Sequence, residues 1–418
     1  MSRASSLNAT LRRTVAPLGA ATVVSQVNSI LILLALTNLG TLDTLADFRL
    51  ALSAVAIATI VALPGAAVAV ARAVARGQDV TFAIARRRVP WSVAGAAGLA
   101  VTGAVLMLLG RGSTGLAVAV AGIVFVPWSV SDLAGAHLIG ARSFPRYLRL
   151  QAVVQTSTVA WVVLAVTLGH GRAWLIVLGY LGLTAVAQAF VLVRLQRTVD
   201  QEAVDECHLY GKRLSKIGVL SSIDLQLDVL LTAALLSKPN VALLAVGRAG
   251  GQFLKATWYL VSQANIGRLA ALDETESRSV SMRLAAALTA VYALIGVVAA
   301  ALCPWVVPFV FGEDYAGAVT VAQLLLLVPA VSATGSCLEL HLKAQARVRE
   351  LYVLHLVKPL ASAALLPLAL VLFGLVGVGI EALVIAVLYT ILTTALVYGK
   401  RAQRGAASRA SAAVEAHL

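Results

Sequence analysis

The sequence predicts an all-α, polytopic membrane protein of about twelve transmembrane helices, arranged as two six-helix lobes around a central cavity. Three observations predict it. Of 418 residues, 60% are hydrophobic and only 12% charged, with a mean hydropathy of +0.90, a surface that water would not tolerate on a chain of this length. Apolar stretches of the roughly 20 residues needed to cross a bilayer core follow one another almost end to end. The basic residues collect on alternate connecting segments, as the positive-inside asymmetry of a polytopic protein requires.

The elements follow in order. Arg3, Arg12 and Arg13 precede the first apolar run, 15–39; its length and the spans that follow make it an uncleaved first helix rather than a signal peptide. Spans 47–71, 90–110, 114–138, 147–168 and 173–195 complete the first six. The inner segments between them hold Arg72, Arg76, Arg86, Arg87 and Arg88, then Arg142, Arg146 and Arg149. The longest interruption, 196–213, carries mixed charge and reads as a cytoplasmic linker dividing the spans six and six. An N-terminal lobe of residues 1–200 is therefore expected, followed by a C-terminal lobe of residues 201–418. Spans 214–236, 241–265, 284–311, 316–340, 351–373 and 375–398 build the second lobe, which ends in a short basic cytoplasmic tail containing Lys400, Arg401, Arg404 and Arg409. On this map 26 of the 33 basic residues face the cytoplasm, so both termini are cytoplasmic and the protein belongs in the cell membrane. Self-similarity between the halves is faint. Prolines inside or at the ends of spans, among them Pro64, Pro127, Pro329, Pro359 and Pro367, each remove a backbone hydrogen bond and mark kinks.

The net charge of +14 would fit nucleic acid only if the basic residues formed one patch, and their alternation along the chain excludes that. Nothing resembles a nucleotide-binding loop. Cys207, Cys303 and Cys337 are far apart and fit no metal or redox spacing. No cofactor or metal is expected. The outer loops are too short to form a soluble catalytic domain, so any chemistry takes place inside the bundle.

Ionisable groups at bilayer depth cost at least about 2.5 kcal/mol each, so they face a cavity or a partner. Span seven carries Asp224 and Asp228 four residues apart, on one helical face. Span eight carries Arg248, Gln252, Lys255 and Tyr259, again on one face. The two spans form a hairpin with its tip near Lys238 and Pro239. A rise of about 1.5 Å per residue then brings Asp228 and Arg248 to the same depth and predicts a contact between them. Lys255 and the remaining donors of Arg248 would then meet an anion, with Lys358 of span eleven a further candidate. The competing reading is that these charges neutralise one another and only fasten helices together. Asp132 and His137 of span four lie near the inner surface, where interfacial hydration accounts for them; Glu339 and Glu381 sit near span ends and are given no role.

Residues 304–331, PWVVPFVFGEDYAGAVTVAQLLLLVPAV, carry Phe311, Gly312, Tyr315 and Ala318 in a Phe-Gly-x-x-Tyr pattern between apolar helices. This block resembles the polysaccharide-biosynthesis, lipid-linked oligosaccharide flippases of the multidrug/oligosaccharidyl-lipid/polysaccharide exporter superfamily. Three further stretches are similar: 36–77, SSIDLQLDVLLTAALL of span seven, and 342–384 with its Gly-rich turn. Arg248 stands near the place where the family often has an aromatic residue. The resemblance implies alternating access by two rocking lobes. A sugar-pyrophosphate headgroup would pass through a cationic cavity while its polyprenyl tail stays in lipid, with a glycan polymerase or glycosyltransferases as partners. Arg and Lys suit a pyrophosphate. A cation-coupled drug or metabolite antiporter of the same superfamily would instead make Asp224 and Asp228 the ion-coupling groups. A membrane-embedded glycosyltransferase or ligase would require a long outer loop bearing paired catalytic groups.

Overall fold

The computed structural model describes residues 16–195, 201–270, 272–345 and 347–415. Arg3, Arg12, Arg13 and Arg197 lie outside the described residues, as do the side chains of Lys216, Tyr259 and the basic residues of the C-terminal tail. Every regular element described is helical. They are α1 (Ala16–Leu39), α2 (Leu42–Val61), α3 (Gly65–Ala75), α4 (Thr81–Leu108), α5 (Gly112–Ser131), α6 (Leu133–Gly140), α7 (Phe144–Thr167) and α8 (Ala173–Val193). There follow α9 (Gln201–Leu235), α10 (Lys238–Ala270), α11 (Glu274–Phe311), a 3-10 turn (Glu313–Ala318), α12 (Val319–Ala344), α13 (Val348–Phe373) and α14 (Val376–Glu415).

Ten helical segments among the described residues are long and apolar enough to cross a membrane, so the chain is an all-α, multi-pass membrane protein. The sequence predicts about twelve. The difference lies in α9 and α10, which stand where spans seven and eight were expected. Arg248, Gln252 and Lys255 lower the hydropathy of α10, whereas in α9 several side chains lie outside the described residues and Gln226–Leu235 is the apolar stretch among those described.

Two spans are interrupted. Expected span two is broken between α2 and α3, where Pro64 follows Leu63 at φ +55°. Proline supplies no amide hydrogen and disfavours helical backbone in the residue before it, so the helix stops at Ala62 and restarts at Gly65. Expected span four is divided at Asp132, between α5 and α6, with helical backbone angles at the joint.

The linker expected at 196–213 is helical from residue 201, because α9 is one continuous element of 35 residues. The cause is amphipathic packing: Ala203, Val204 and Cys207 are buried against α3, the start of α4 and α6, in a cluster with Val70, Ile84 and Leu133. The polar side pairs outward, Asp205 with Arg87 at 2.5 Å and Arg72 over the Tyr210 ring.

The chain packs as two compact units. The first comprises residues 1–246 and 305–318, the second 247–304 and 319–418. In the first, one end is fastened by buried Asp47 of α2, which takes Lys238 Nζ at 2.9 Å and the Thr114 hydroxyl. The Phe-Gly-x-x-Tyr block shapes the turn after α11: Gly312 at φ +99° ends the helix, where a side chain would be strained, and Tyr315 and Ala318 are buried.

One turn occurs in both units. In the first, Ala141 donates to His137 and Ser143 to Leu138; in the second, Gln345 donates to His341 and Arg347 to Leu342. Each histidine also meets a hydroxyl from the start of the preceding long helix. His137 Nδ1 lies 2.9 Å from Thr81 Oγ1, and His341 Nδ1 lies 2.9 Å from Ser277 Oγ.

Candidate functional site

Asp224 and Asp228 sit on α9, both partly buried, and Asp228 accepts a hydrogen bond from the Val229 amide at 2.8 Å. Arg248, Gln252 and Lys255 follow one another along α10, Arg248 partly buried and the other two exposed within their unit. Gly250 and Gly251 share this stretch, and α12 packs closely enough that a Cβ on Gly251 would lie 3.0 Å from the Leu325 carbonyl oxygen. Asp228 and Arg248 belong to different compact units.

Lys358 of α13 is brought into a charged cluster within the second unit. Its Nζ lies 5.9 Å from the centre of the Tyr389 ring on α14, within the reach of a cation–π contact. The Tyr389 hydroxyl donates to Glu339 Oε2 on α12. Glu339 Oε1 takes Lys343 Nζ at 2.5 Å, one helical turn along α12, and faces His355 Nε2 of α13 at 3.5 Å. The Glu339 side chain is 13% exposed. A carboxylate this far from water requires the partners it has. Sequence reasoning set Glu339 aside as a helix-end residue. Its i,i+4 spacing to Lys343 was the available signal; His355 and Tyr389 come from distant segments and carried none.

At the start of α13 the second unit holds a separate ionic cluster. Arg347 reaches Glu350 at 3.0 Å, Glu274 at 3.5 Å and the Leu396 carbonyl at 3.0 Å.

The first unit holds a buried cation that the sequence placed on an inner loop. Arg88 lies on α4, 3% exposed. Its Nε donates to the Ala62 carbonyl at 2.6 Å, at the proline break, and its Nη1 lies 3.6 Å from Asp132 Oδ2, at the second interruption. The Gly65 amide on the other side of the break donates to Ser215 Oγ of α9 at 3.0 Å. Backbone groups freed in lipid must be satisfied by neighbours, and Arg88 and Ser215 do that here. Asp132 therefore has an ionic partner, and His137 bonds Thr81 with Asp79 at 3.5 Å; interfacial hydration alone does not describe them. Elsewhere in this unit amides pair with one another: Asn28 Nδ2 donates to Gln155, and Gln155 donates to Gln151 at 3.3 Å.

No family model matches the chain, and no curated protein matches it. Solved structures do. The chain is similar to a multidrug-resistance MATE family transporter of the MOP superfamily in its inward-facing conformation, with a TM-score of 0.66 and 13% identity, covering 90% of this chain and 95% of that one. The chain has the MATE transporter fold. An outward-facing MATE transporter gives a TM-score of 0.59 at 13% identity, covering 93% and 96% of the two chains. A MOP superfamily transporter from Pyrococcus furiosus gives 0.59 at 12% identity, with the same coverage. At such identities the likeness to MATE proteins concerns the fold, and residue roles must be argued from this chain.

Proposed function

We propose that this protein is an alternating-access exporter that flips a polyprenyl-pyrophosphate-linked oligosaccharide, or a related polysaccharide precursor, across the cell membrane. The observation that carries the proposal is the position of cations inside helices of a MATE fold: Lys358 over Tyr389, and Arg248 and Lys255 with Gln252 on one stripe of α10. Cations at that depth are costly unless a partner or cargo compensates them, and pyrophosphate offers several acceptor oxygens to Arg and Lys. The Pyrococcus furiosus transporter is described as having a binding pocket of reverse polarity that suggests a different function. That supports reading cargo charge from each chain's own residues.

On this proposal the termini are cytoplasmic, the residues before and after position 200 form the N-terminal and C-terminal lobes, and cargo arrives from glycosyltransferases and leaves to a polymerase. Asp224 and Asp228 of α9 are the protein's ion-coupling or pairing groups. The test is reconstitution in proteoliposomes with a fluorescent polyprenyl-pyrophosphate-linked sugar, scoring its accessibility to an external sugar-modifying enzyme. Arg248→Ala and Lys358→Ala should each slow flipping by about tenfold or more. Unchanged flipping by both variants would sink the proposal.

The two aspartates of α9 favour a second reading, a cation-coupled drug or metabolite antiporter. It expects Asp224→Asn and Asp228→Asn to abolish uptake of an organic cation driven by a proton or sodium gradient. The lipid-linked sugar would then not move.

A further inference from the structure

The cluster around Glu339 has more positive than negative charge and an unequal exposure. Glu339 is 13% exposed, whereas its partners Lys343 and His355 are 46% and 38% exposed. The donors stand at the open side and the carboxylate behind them. Both converge on the same oxygen, Oε1, while Oε2 is held from the other side by Tyr389. Lys358 adds a second ammonium against the face of that tyrosine. An ammonium carries three donors, so the bond to Glu339 leaves Lys343 able to meet a second oxyanion.

We propose that Glu339 is the resident counter-anion of a phosphate site, and that an incoming phosphate and this carboxylate exchange places on Lys343 and His355, with the displaced Glu339 taking up a proton. The identification of the phosphate as that of a lipid-linked sugar rests on the function proposed above; the exchange itself does not. A phosphate oxygen bearing more charge than a carboxylate oxygen takes the ammonium and the imidazole N–H. Glu339 is then left with the Tyr389 hydroxyl alone in a poorly solvated setting, where the ionised form is disfavoured. A proton from the buffer acid in solution moves onto Oε1, leaving the buffer base, and no other covalent bond changes. Anion and proton therefore bind together.

The groups facing Glu339 are Lys343 on its own helix, His355 on α13 and Tyr389 on α14, with Lys358 of α13 against the Tyr389 ring. His341 of α12 belongs to a different cluster, facing Ser277 of α11 with Glu274, Arg278 and Arg347 around it. Equivalent turns in the first unit carry Gly135, Ile139, Gln151 and Val154 where the second has Glu339, Lys343, His355 and Lys358. The charged set is thus confined to one of two matching frames.

The experiment is calorimetric titration of the purified full-length protein with inorganic pyrophosphate near neutral pH, in two buffers of different ionisation enthalpy. The expected result is uptake of about one proton per pyrophosphate bound. Glu339→Gln should bind pyrophosphate about tenfold more tightly, with that uptake gone, because the competitor and the proton acceptor are removed together. Lys343→Ala combined with Lys358→Ala should abolish binding. Pyrophosphate binding without proton uptake, absence of binding, or weaker binding by Glu339→Gln would overturn the inference. Infrared difference spectroscopy of the unmodified protein provides a readout that needs no variant: pyrophosphate should convert a carboxylate band into a carboxylic-acid band. Proton-linked pyrophosphate binding in a protein that fails to flip the labelled sugar would retain this site and discard the cargo assignment. Flipping without linkage would do the reverse.

Discussion

Two buried ions, one in each unit, are held in opposite ways. In the first unit a buried cation, Arg88, repairs backbone: it covers the carbonyl exposed at the Pro64 break and is balanced by Asp132. Elsewhere in this unit amides pair with one another, Asn28, Gln155 and Gln151. In the second unit the buried ion is a carboxylate, and its partners are side chains that also face outward. A guanidinium spent on backbone has a structural role and no free partner to exchange. A carboxylate held by half-exposed donors can trade them for something else. The comparison teaches that depth alone does not distinguish a structural charge from a functional one; the nature of the partner does.

The largest expected effect breaks the first half of the comparison. Arg88→Ala strands the Ala62 carbonyl and removes the cation beside Asp132, and should lower stability by about 2–4 kcal/mol in detergent-solubilised thermal unfolding. Glu339→Gln should lose only about 1 kcal/mol, because Lys343 and His355 recover solvent. Equal losses would refute the distinction between the two ions.

A smaller effect sharpens the difference between the matching turns. Ser277→Ala leaves His341 without its hydroxyl, and the other ring nitrogen, Nε2, is already buried without a hydrogen-bond partner; the cost should be about 1–3 kcal/mol. Thr81→Ala should cost less, about 1 kcal/mol, because Asp79 stands 3.5 Å from the His137 ring and can take over. Unfolding midpoints of the two variants side by side make the comparison.

The smallest effect concerns a cap that α4, the matching helix of the first unit, does not have. Asp273 caps α11, accepting from the amides of Glu276 and Thr275 and from the Thr275 hydroxyl. The Glu276 amide first, and then the Thr275 hydroxyl, hold its carboxyl below the usual range. The cap is complete above the ordinary carboxylate range and is lost as pH falls through the lowered value. Hydrogen exchange of the first turn of α11 should accelerate at low pH, and Asp273→Ala should show that faster exchange at all pH values.

Hydropathy made the helices legible, and Pro64 announced the break in span two. The ends were less legible: the charged stretch after residue 200 reads as a linker, although Val204, Cys207 and Tyr210 at helical spacing give it an apolar side. Arg88 was hidden in the run Arg86-Arg87-Arg88, where all three look like inner-loop charges. The buried face of α4 passes through Ile84, Arg88, Ser92, Gly95 and Leu99, a spacing of three and four that separates Arg88 from Arg87. The cluster at Glu339 joins three helices, and only its Lys343 contact is local. The shared turn was also present in letters: Ala141-Arg142 with Tyr147, and Ala346-Arg347 with Tyr352, each follow a His-Leu pair. The Ala-Arg pair stands one residue later in the second stretch although the two turns are equally long, which obscures the match.

The repair of the Pro64 break also sets an order of synthesis. Ala62 leaves the ribosome 26 residues before Arg88, and Gly65 leaves it 150 residues before Ser215. The gap in the second hydrophobic helix is therefore half closed when the third is made and fully closed only when α9 emerges. A nascent chain ending at residue 200 would lack the Ser215 hydroxyl that the Gly65 amide meets in the finished fold.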